Sequence, residues 1–321
     1  MLISHHTQHH INMKGIKIFA GNATKNLAEN IAKGLNMQLG DLDILKFSDG
    51  EMQVVLNESV RGAHVFFIQS TFSPGDNIME LLLMIDAAKR ASAGYITAVI
   101  PYYGYARQDR KDKPRVPISA KLMANIIQAA GADRVMTMDL HAQQIQGFFD
   151  IPVDHLIGEA IFFPYLEKQN LENVIFASPD VGGVKRARAY ARKFNTEFVI
   201  CDKERKKANE VANIIVIGNV KDKDVILIDD LVDTAGTMAM AADKIIEEGA
   251  RSVRAICTHP VLSGAAYERI EKSQLSQLLV TDTIPLRKES KKIETIGCSH
   301  LFSQAINYVY EFKSIQSLFN R

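Results

Sequence analysis

Two adjacent carboxylates, Asp229 and Asp230, stand at the end of an apolar run, Val225-Ile-Leu-Ile228, and a hydroxyl-rich turn follows, Asp233-Thr234-Ala235-Gly236-Thr237. A carboxylate pair cannot hold a phosphate, but it accepts hydrogen bonds from vicinal hydroxyls or binds a metal ion. The turn offers the opposite chemistry. Its backbone N–H groups and two threonine hydroxyls precede a helical pattern over residues 238–248, where free donors and the helix dipole stabilise an anion. Acceptors for hydroxyls beside donors for a phosphate suit a phosphorylated sugar. Taken singly, Asp-Thr-Ala-Gly-Thr is also an ordinary strand-to-helix turn with an Asp/Thr cap. The acidic pair and apolar strand directly upstream favour the ligand.

Other polar groups fall at strand ends. Asp139 and His141 follow an apolar strand at 135–138, the edge where α/β sheets place ligands. A histidine beside a carboxylate binds a divalent ion or orients a phosphate. Asp180, in Ser178-Pro-Asp-Val-Gly-Gly183, follows another strand and reads locally as a helix cap. Lys203 and Arg205, one residue apart, can meet the charge of a transferring phosphoryl group, with arginine gripping two oxygens and lysine acting as a mobile point charge. The same loop is also readable as flexible and basic. The run Arg107-Gln-Asp-Arg-Lys-Asp-Lys113 is either a solvated charge run or an anion-gripping loop, and Phe47-Ser-Asp-Gly-Glu51 reads as a hairpin turn. Neither a Gly-x-Gly dinucleotide fingerprint nor Walker A spacing is present, so any ATP is held without a P-loop.

These residues need strands and helices to position them. Apolar runs at 16–20, 65–69, 95–100 and 135–138 alternate with helical patterns at 24–34, 76–91 and 117–130, with a hairpin of strands at 42–47 and 52–56. The second half repeats the rhythm: helix 159–167, strand 174–177, helix 181–194, strand 198–200, an Ile/Val strand, strands 225–228 and 253–258, tail strands at 277–280 and 293–296, and a last helix from Ser299. Such alternation predicts α/β layers with mostly parallel sheets. The charged face Lys185, Arg186, Arg188, Arg192 and Lys193 is expected to be a solvated helix surface.

At 321 residues the chain is long enough for two domains. A net charge of +1 gives no electrostatic case for nucleic acid or membrane, and no apolar run approaches the ~18–20 residues of a membrane span. Cys201, Cys257 and Cys298 form no CxxC, which fits reduced thiols and a cytoplasmic location. Residues 1–12, with His5, His6, His9 and His10, are expected to be a disordered leader, and Met13 is an alternative start.

The 225–237 stretch resembles the phosphoribosyl-diphosphate (PRPP) motif of type I phosphoribosyltransferases. The string Asp139-Leu-His-Ala-Gln-Gln-Ile-Gln-Gly-Phe-Phe-Asp-Ile-Pro-Val-Asp154 resembles the signature of ribose-phosphate diphosphokinases, or PRPP synthetases, and matches extend along nearly the whole chain from Lys17. The resemblance implies two phosphoribosyltransferase-like domains, 13–157 on the ATP side, completed by 298–321, and 158–297 on the ribose 5-phosphate side. It implies attack of the C1 hydroxyl of ribose 5-phosphate on Pβ of ATP, giving PRPP and AMP. Phe47, Asp49, Gly50 and Glu51 would serve the adenine of a neighbouring subunit, and Arg107, Gln108 and Asp109 the nucleotide. His141, Asp180 and Asp139 would hold Mg²⁺. Lys203 and Arg205 would be catalytic, with Arg205, Asp229, Asp230, Asp233, Thr234, Ala235, Gly236 and Thr237 around the ribose 5-phosphate. Members form homo-oligomers, commonly hexamers, and the regulated class binds phosphate and ADP where Ser59, Arg61, Ser314 and Phe319 fall. The loops Lys203-Glu-Arg-Lys-Lys-Ala-Asn209 and Lys111-Asp-Lys-Pro-Arg-Val116 resemble animal forms more than common bacterial ones, which bears on loop kinetics and regulation. Three alternatives stay open: a nucleobase phosphoribosyltransferase, a non-catalytic regulatory relative, and a sugar- or nucleotide-binding module.

Overall fold

Runs such as Val174-Ile-Phe-Ala-Ser178 lack the alternation of a half-exposed strand, and a strand of this kind belongs in a parallel sheet covered on both faces. The computed structural model describes residues 15–204 and 213–319 and has that architecture. The first half contains β1 (Ile16–Ala20), α1 (Lys25–Gly34), the hairpin β2 (Leu42–Lys46) and β3 (Met52–Leu56), and β4 (His64–Ile68). It continues with α2 (Asp76–Arg90), β5 (Tyr95–Ile100), α3 (Ser119–Ala130), β6 (Arg134–Met138) and β7 (Val153–Leu156). Strands β1-β4-β5-β6-β7 form one all-parallel sheet in that order. The strand β7, which begins at the end of the 139–154 string, is too short for periodicity to reveal.

The second half runs α4 (Glu159–Leu166), β8 (Val174–Ser178), α5 (Val184–Lys193), β9 (Phe198–Glu204), β10 (Asn213–Ile217) and β11 (Asp224–Val232). It ends with α6 (Gly236–Glu247), β12 (Ser252–Pro260), α7 (Ala266–Lys272), β13 (Leu275–Thr281), β14 (Ile293–Ile296) and α8 (Ser299–Tyr310). The sheet order is β10-β9-β8-β11-β12-β13-β14, parallel among the described residues except for the β9–β10 pair. The chain steps outward from β8 to β10, then returns beside β8 and continues the other way. The crevice beyond the carboxyl ends of β8 and β11 is therefore a topological switch point, where open α/β sheets bind ligands.

One difference from the sequence pattern matters for that crevice. The apolar run predicts a strand ending at Ile228, but β11 continues through the acidic pair to Val232. Its pairing with β12 holds on, with Asp229 opposite Cys257, Leu231 opposite His259 and Val232 opposite Pro260. Pairing with β8 stops at Leu227 opposite Ala177. The two carboxylates thus stand on an overhang, supported on one side and open on the other.

Helix α8 returns to the first half. Phe302, Ala305 and Ile306 share a core with Ile18, Phe66, Val99 and Met136, and Ser303 Oγ donates to the Ile31 carbonyl at 3.0 Å. Helix α4 joins the halves: Ala160 and Ile161 pack on that core, while Phe162 and Leu166 sit under the second sheet with Phe176 and Ile226.

His64, at the amino end of β4, stacks on Phe66 with ring centroids 4.2 Å apart and bonds Thr97 Oγ1 at 2.9 Å. Burial, aided by the Arg134 charge, lowers its pKa to about 4. A depressed folded value favours the neutral imidazole, so its stabilisation is present above the unfolded value and is lost as pH falls from ~6.5 towards ~4. Urea unfolding at pH 7 and pH 4.5 should show the wild type losing about 2 kcal/mol more than His64→Gln, after discounting for partial exposure. Equal losses would contradict this.

Candidate active site

The overhang of β11 presents Asp230 with its side chain only 6% exposed. Its Oδ2 accepts from His141 Nδ1 at 2.8 Å, and Arg186 NH2 lies 3.2 Å from Oδ1. Arg186 NH1 lies 3.5 Å from Asp229 Oδ1, which also accepts the Asp230 backbone N–H at 2.9 Å. Burial opposes ionisation of Asp230, but the His141 hydrogen bond and the Arg186 charge outweigh it and hold the carboxyl well below the usual range. Burial and the neighbouring Asp230 push Asp229 well above that range. The pair is therefore split: Asp230 is the fixed anion and Asp229 the readier proton carrier. The hydrogen bond to Asp230 raises the His141 pKa against burial.

Arg186 corrects an expectation, because this residue of the charged helix face is turned inward rather than solvated. A signal existed. The residues Ala187, Tyr190 and Ala191 form the buried stripe of α5, and Arg186 lies one turn before Tyr190 on its border.

His141 is positioned by a strained turn after β6. Asp139 adopts φ +36°, a conformation that aspartate tolerates better than most residues. The Leu140 backbone N–H donates to His155 Nε2 at 2.9 Å. Asp139 Oδ1 accepts from the Gly158 N–H at 3.2 Å, and its Oδ2 accepts from the Thr258 hydroxyl. A Cβ on Gly158 would sit 2.5 Å from Asp139 Oδ2, so a side chain here would displace the Asp139 carboxylate from this position. Both Asp139 oxygens are engaged by the protein. These bonds tie Asp139 into the junction of the halves, and each oxygen keeps a further lone pair for the metal ion expected there.

His259, at the end of β12, completes the junction. Burial keeps it neutral. Its Nε2 faces the carbonyls of Met138 and Asp139 at 3.1 and 3.2 Å, so this nitrogen carries the proton, and Nδ1 accepts from Thr283 Oγ1 at 2.9 Å. Nearby, Ser70 Oγ donates to the Thr283 carbonyl at 2.7 Å.

Beyond β11 the chain enters the Thr/Gly turn. Ala235 is left-handed at φ +59° and α6 begins at Gly236, which directs the first free N–H groups of α6 into the turn. The turn is braced from outside: the Ser263 N–H donates to the Asp233 carbonyl at 2.9 Å, Ser263 Oγ donates to Asp233 Oδ1, and Arg269 NH1 donates to the Thr234 carbonyl at 2.8 Å. Arg107 of the first half reaches across to Asp233 Oδ2 at 2.6 Å. Burial opposes ionisation of Asp233, and Ser263 and Arg107 together still lower its pKa. Thr258, His259, Ser263 and Arg269 carry no local sequence signal, since each acts through a distant partner.

The other expected residues are placed as follows. Gln108 Oε1 accepts from Ser119 Oγ, and Asp109 Oδ2 accepts from Gln144 Nε2 at 3.3 Å. Asp180 Oδ1 accepts the Gly183 N–H at 3.1 Å. The backbone of Lys203 lies on β9 opposite Ile214; Arg205 and the His-rich leader fall outside the described residues. In the β2–β3 turn, Asp49 Oδ1 accepts the Glu51 N–H at 3.0 Å, Gly50 has φ +95°, and Phe47 is 51% exposed. Among the described residues this turn makes no hydrogen bond or ion pair with Arg107, Gln108 or Asp109. Ser59 and Arg61 are exposed, Ser314 Oγ accepts the Gln316 N–H, and Phe319 lines a cavity of about 170 Å³ with Ile157, Phe163 and Lys193. No hydrogen bond joins Ser59 or Arg61 to Ser314 or Phe319 among the described residues.

Among the described residues no cluster of three or more His, Cys, Asp or Glu side chains could hold a metal by itself. Magnesium keeps several waters and takes few protein ligands when substrate phosphates supply the rest. His141 Nε2 and Asp180 Oδ2 are the atoms of those two side chains not used in the bonds above.

Comparison with known proteins agrees with this geometry. Residues 16–131 match the family model for the N-terminal domain of ribose phosphate pyrophosphokinase, and residues 202–320 match a phosphoribosyl synthetase-associated domain. A ribose-phosphate pyrophosphokinase of Campylobacter jejuni subsp. jejuni is 54% identical over 308 residues, covering 96% of this chain and 100% of the relative. One from Wolinella succinogenes is 55% identical over 308 residues with the same coverage. The crystal structure of phosphoribosylpyrophosphate synthetase from Mycobacterium smegmatis superimposes with TM-score 0.89 at 38% identity, covering 93% of this chain and 100% of that one.

Proposed function

The chain belongs to the ribose-phosphate pyrophosphokinase family and makes PRPP, and we propose that it does so by a single diphosphoryl transfer within the β8–β11 crevice. The C1 hydroxyl oxygen of ribose 5-phosphate bonds to Pβ of ATP, the bond from Pβ to the bridging α-phosphate oxygen breaks, AMP leaves, and the hydroxyl proton is released.

The observation that carries this reading is the meeting of two halves with complementary chemistry. The second half offers the Asp229–Asp230 pair and the turn at the start of α6, while the first half brings His141 to Asp230 and Arg107 to Asp233. The turn from Asp233 through Thr234, Ala235 and Gly236 to Thr237 takes the 5-phosphate, and Asp229 and Asp230 take the ribose hydroxyls. Arg107, Gln108 and Asp109 face the nucleotide. Positioning two anions for in-line attack supplies most of the acceleration. His141 and Asp180 would hold Mg²⁺, which neutralises phosphate charge when bound. Lys203 and Arg205 stabilise the charge that grows on the transferring group.

The protein acts as a homo-oligomer of the hexameric type. The exposed Phe47, and the lack of a hydrogen bond or ion pair among the described residues between its turn and the chain's own nucleotide loop, support delivery of Phe47, Asp49, Gly50 and Glu51 to a neighbouring copy. Phosphate and ADP are effectors at Ser59, Arg61, Ser314 and Phe319, and the enzyme works in the cytoplasm. Among the described residues no helix is long and apolar enough to cross a membrane.

The experiment is direct. Purified protein with ATP, Mg²⁺, inorganic phosphate and ribose 5-phosphate should form AMP and PRPP in equal amounts. ADP with a ribose bisphosphate would contradict diphosphoryl transfer.

A further inference from the structure

Two adjacent carboxylates on one strand repel each other, and something must hold them in a crevice meant for sugar hydroxyls. Among the described residues, Arg186 is the arginine that reaches both, with NH2 3.2 Å from Asp230 Oδ1, NH1 3.5 Å from Asp229 Oδ1 and a side chain only 24% exposed. Asp139 also lies within its electrostatic reach. We propose that Arg186 is a positioning residue for the sugar, clamping Asp229 and Asp230 with their remaining acceptor positions directed at the two vicinal hydroxyls of ribose.

Three features make Arg186 a built part of the site. First, its helix is fixed where it starts. Asp180 Oδ1 accepts the Gly183 N–H at 3.1 Å, and Ser178 Oγ donates to the Asp180 carbonyl. A Cβ on Gly183 would come within 2.6 Å of Ser178 Oγ, so the first turn of α5 is seated directly on the end of β8. Second, the next turn is anchored by Tyr190, whose ring lies 4.9 Å from Phe163 and 5.5 Å from Phe176 by centroids. The guanidinium therefore extends from a rigid element, which is what a positioning group requires. Third, the acceptors are divided. The Arg186 guanidinium faces Asp230 Oδ1 and Asp229 Oδ1, and His141 holds Asp230 Oδ2. Asp229 Oδ2 has no hydrogen bond among the described residues and is the acceptor left for a hydroxyl. A planar fork can fix two carboxylates in this way, and an ammonium cannot.

The inference rests on the assignment of Asp229 and Asp230 to the ribose hydroxyls, and the test separates the two. Binding of ribose 5-phosphate and of 2-deoxyribose 5-phosphate, which lacks one of the vicinal hydroxyls, is measured by calorimetry without nucleotide or divalent metal. Wild type should prefer ribose 5-phosphate by about 10- to 100-fold, the range of a hydrogen bond to a charged group. In Arg186→Gln the preference should collapse to about twofold, with affinity for the deoxy sugar within about threefold of wild type, since the phosphate turn is untouched. Arg186→Lys, which keeps the charge but not the fork, should fall between them and decides the matter if the glutamine variant does not fold. A simple loss of structure would weaken both sugars together. If wild type shows no preference, the hydroxyl assignment fails. If wild type prefers ribose and both variants keep that preference in full, or both sugars weaken equally, the role of Arg186 is overturned.

Discussion

Lys203→Ala is expected to lower kcat about 10³-fold while leaving ribose 5-phosphate affinity within a factor of about two. The transferring diphosphoryl group gains charge between the two substrates, and a cation that meets it there acts on the transition state more than on either bound substrate. Lys203 stands on β9, the strand beside β8, so its backbone lies on the same side of the switch point as Asp180. The proposed 5-phosphate site lies elsewhere, at the start of α6, which is why binding should survive. Steady-state kinetics with calorimetric titration of ribose 5-phosphate checks both halves. An unchanged kcat, or a loss confined to KM, would reject the assignment.

Asp230→Asn should be the second large effect, with kcat/KM falling about 10²- to 10³-fold and stability falling by about 3 kcal/mol. Asp230 is 4% exposed and lies between His141 and Arg186. Loss of its charge leaves a largely shielded guanidinium without its closest anion, and removing one partner of such a pair costs more than the pair contributes. Asp229→Asn should be milder for stability, because burial and its neighbour's charge already raise the Asp229 pKa and make its ionised form less favoured than that of Asp230. Thermal and urea unfolding of the two variants, alongside their kinetics, tests the split. Greater destabilisation by Asp229→Asn would contradict it.

The parts of the site written in contiguous residues were legible before any coordinates. The strand, acidic pair and Thr/Gly turn of β11 and α6 follow from an apolar run, two carboxylates and turn chemistry, and the α/β layers follow from alternating elements. What escaped depends on residues far apart in the chain. The acidic pair lies within β11 and not after it because β12 goes on pairing past the apolar run, and only tertiary hydrogen bonding decides that. Asp139 reads as a metal ligand in sequence, and nothing near it foretells the bonds its oxygens also accept from Gly158 and from Thr258, 119 positions away. Arg186 looked like surface because charged residues flank it, although its place beside Tyr190 on the border of the buried stripe of α5 marks it as turned inward. His259 sits near the end of β12, where nothing in the local sequence predicts its grip on the distant Met138 and Asp139 carbonyls.

The central claim is that a sugar oxygen attacks Pβ, and isotope placement tests it most directly. Ribose 5-phosphate carrying ¹⁸O at the C1 hydroxyl is converted with unlabelled ATP, and both products are weighed by mass spectrometry. The account predicts that ¹⁸O remains in the bridge between C1 and the diphosphate of PRPP and that AMP is unlabelled. An unlabelled bridge, or ¹⁸O in AMP, would contradict it.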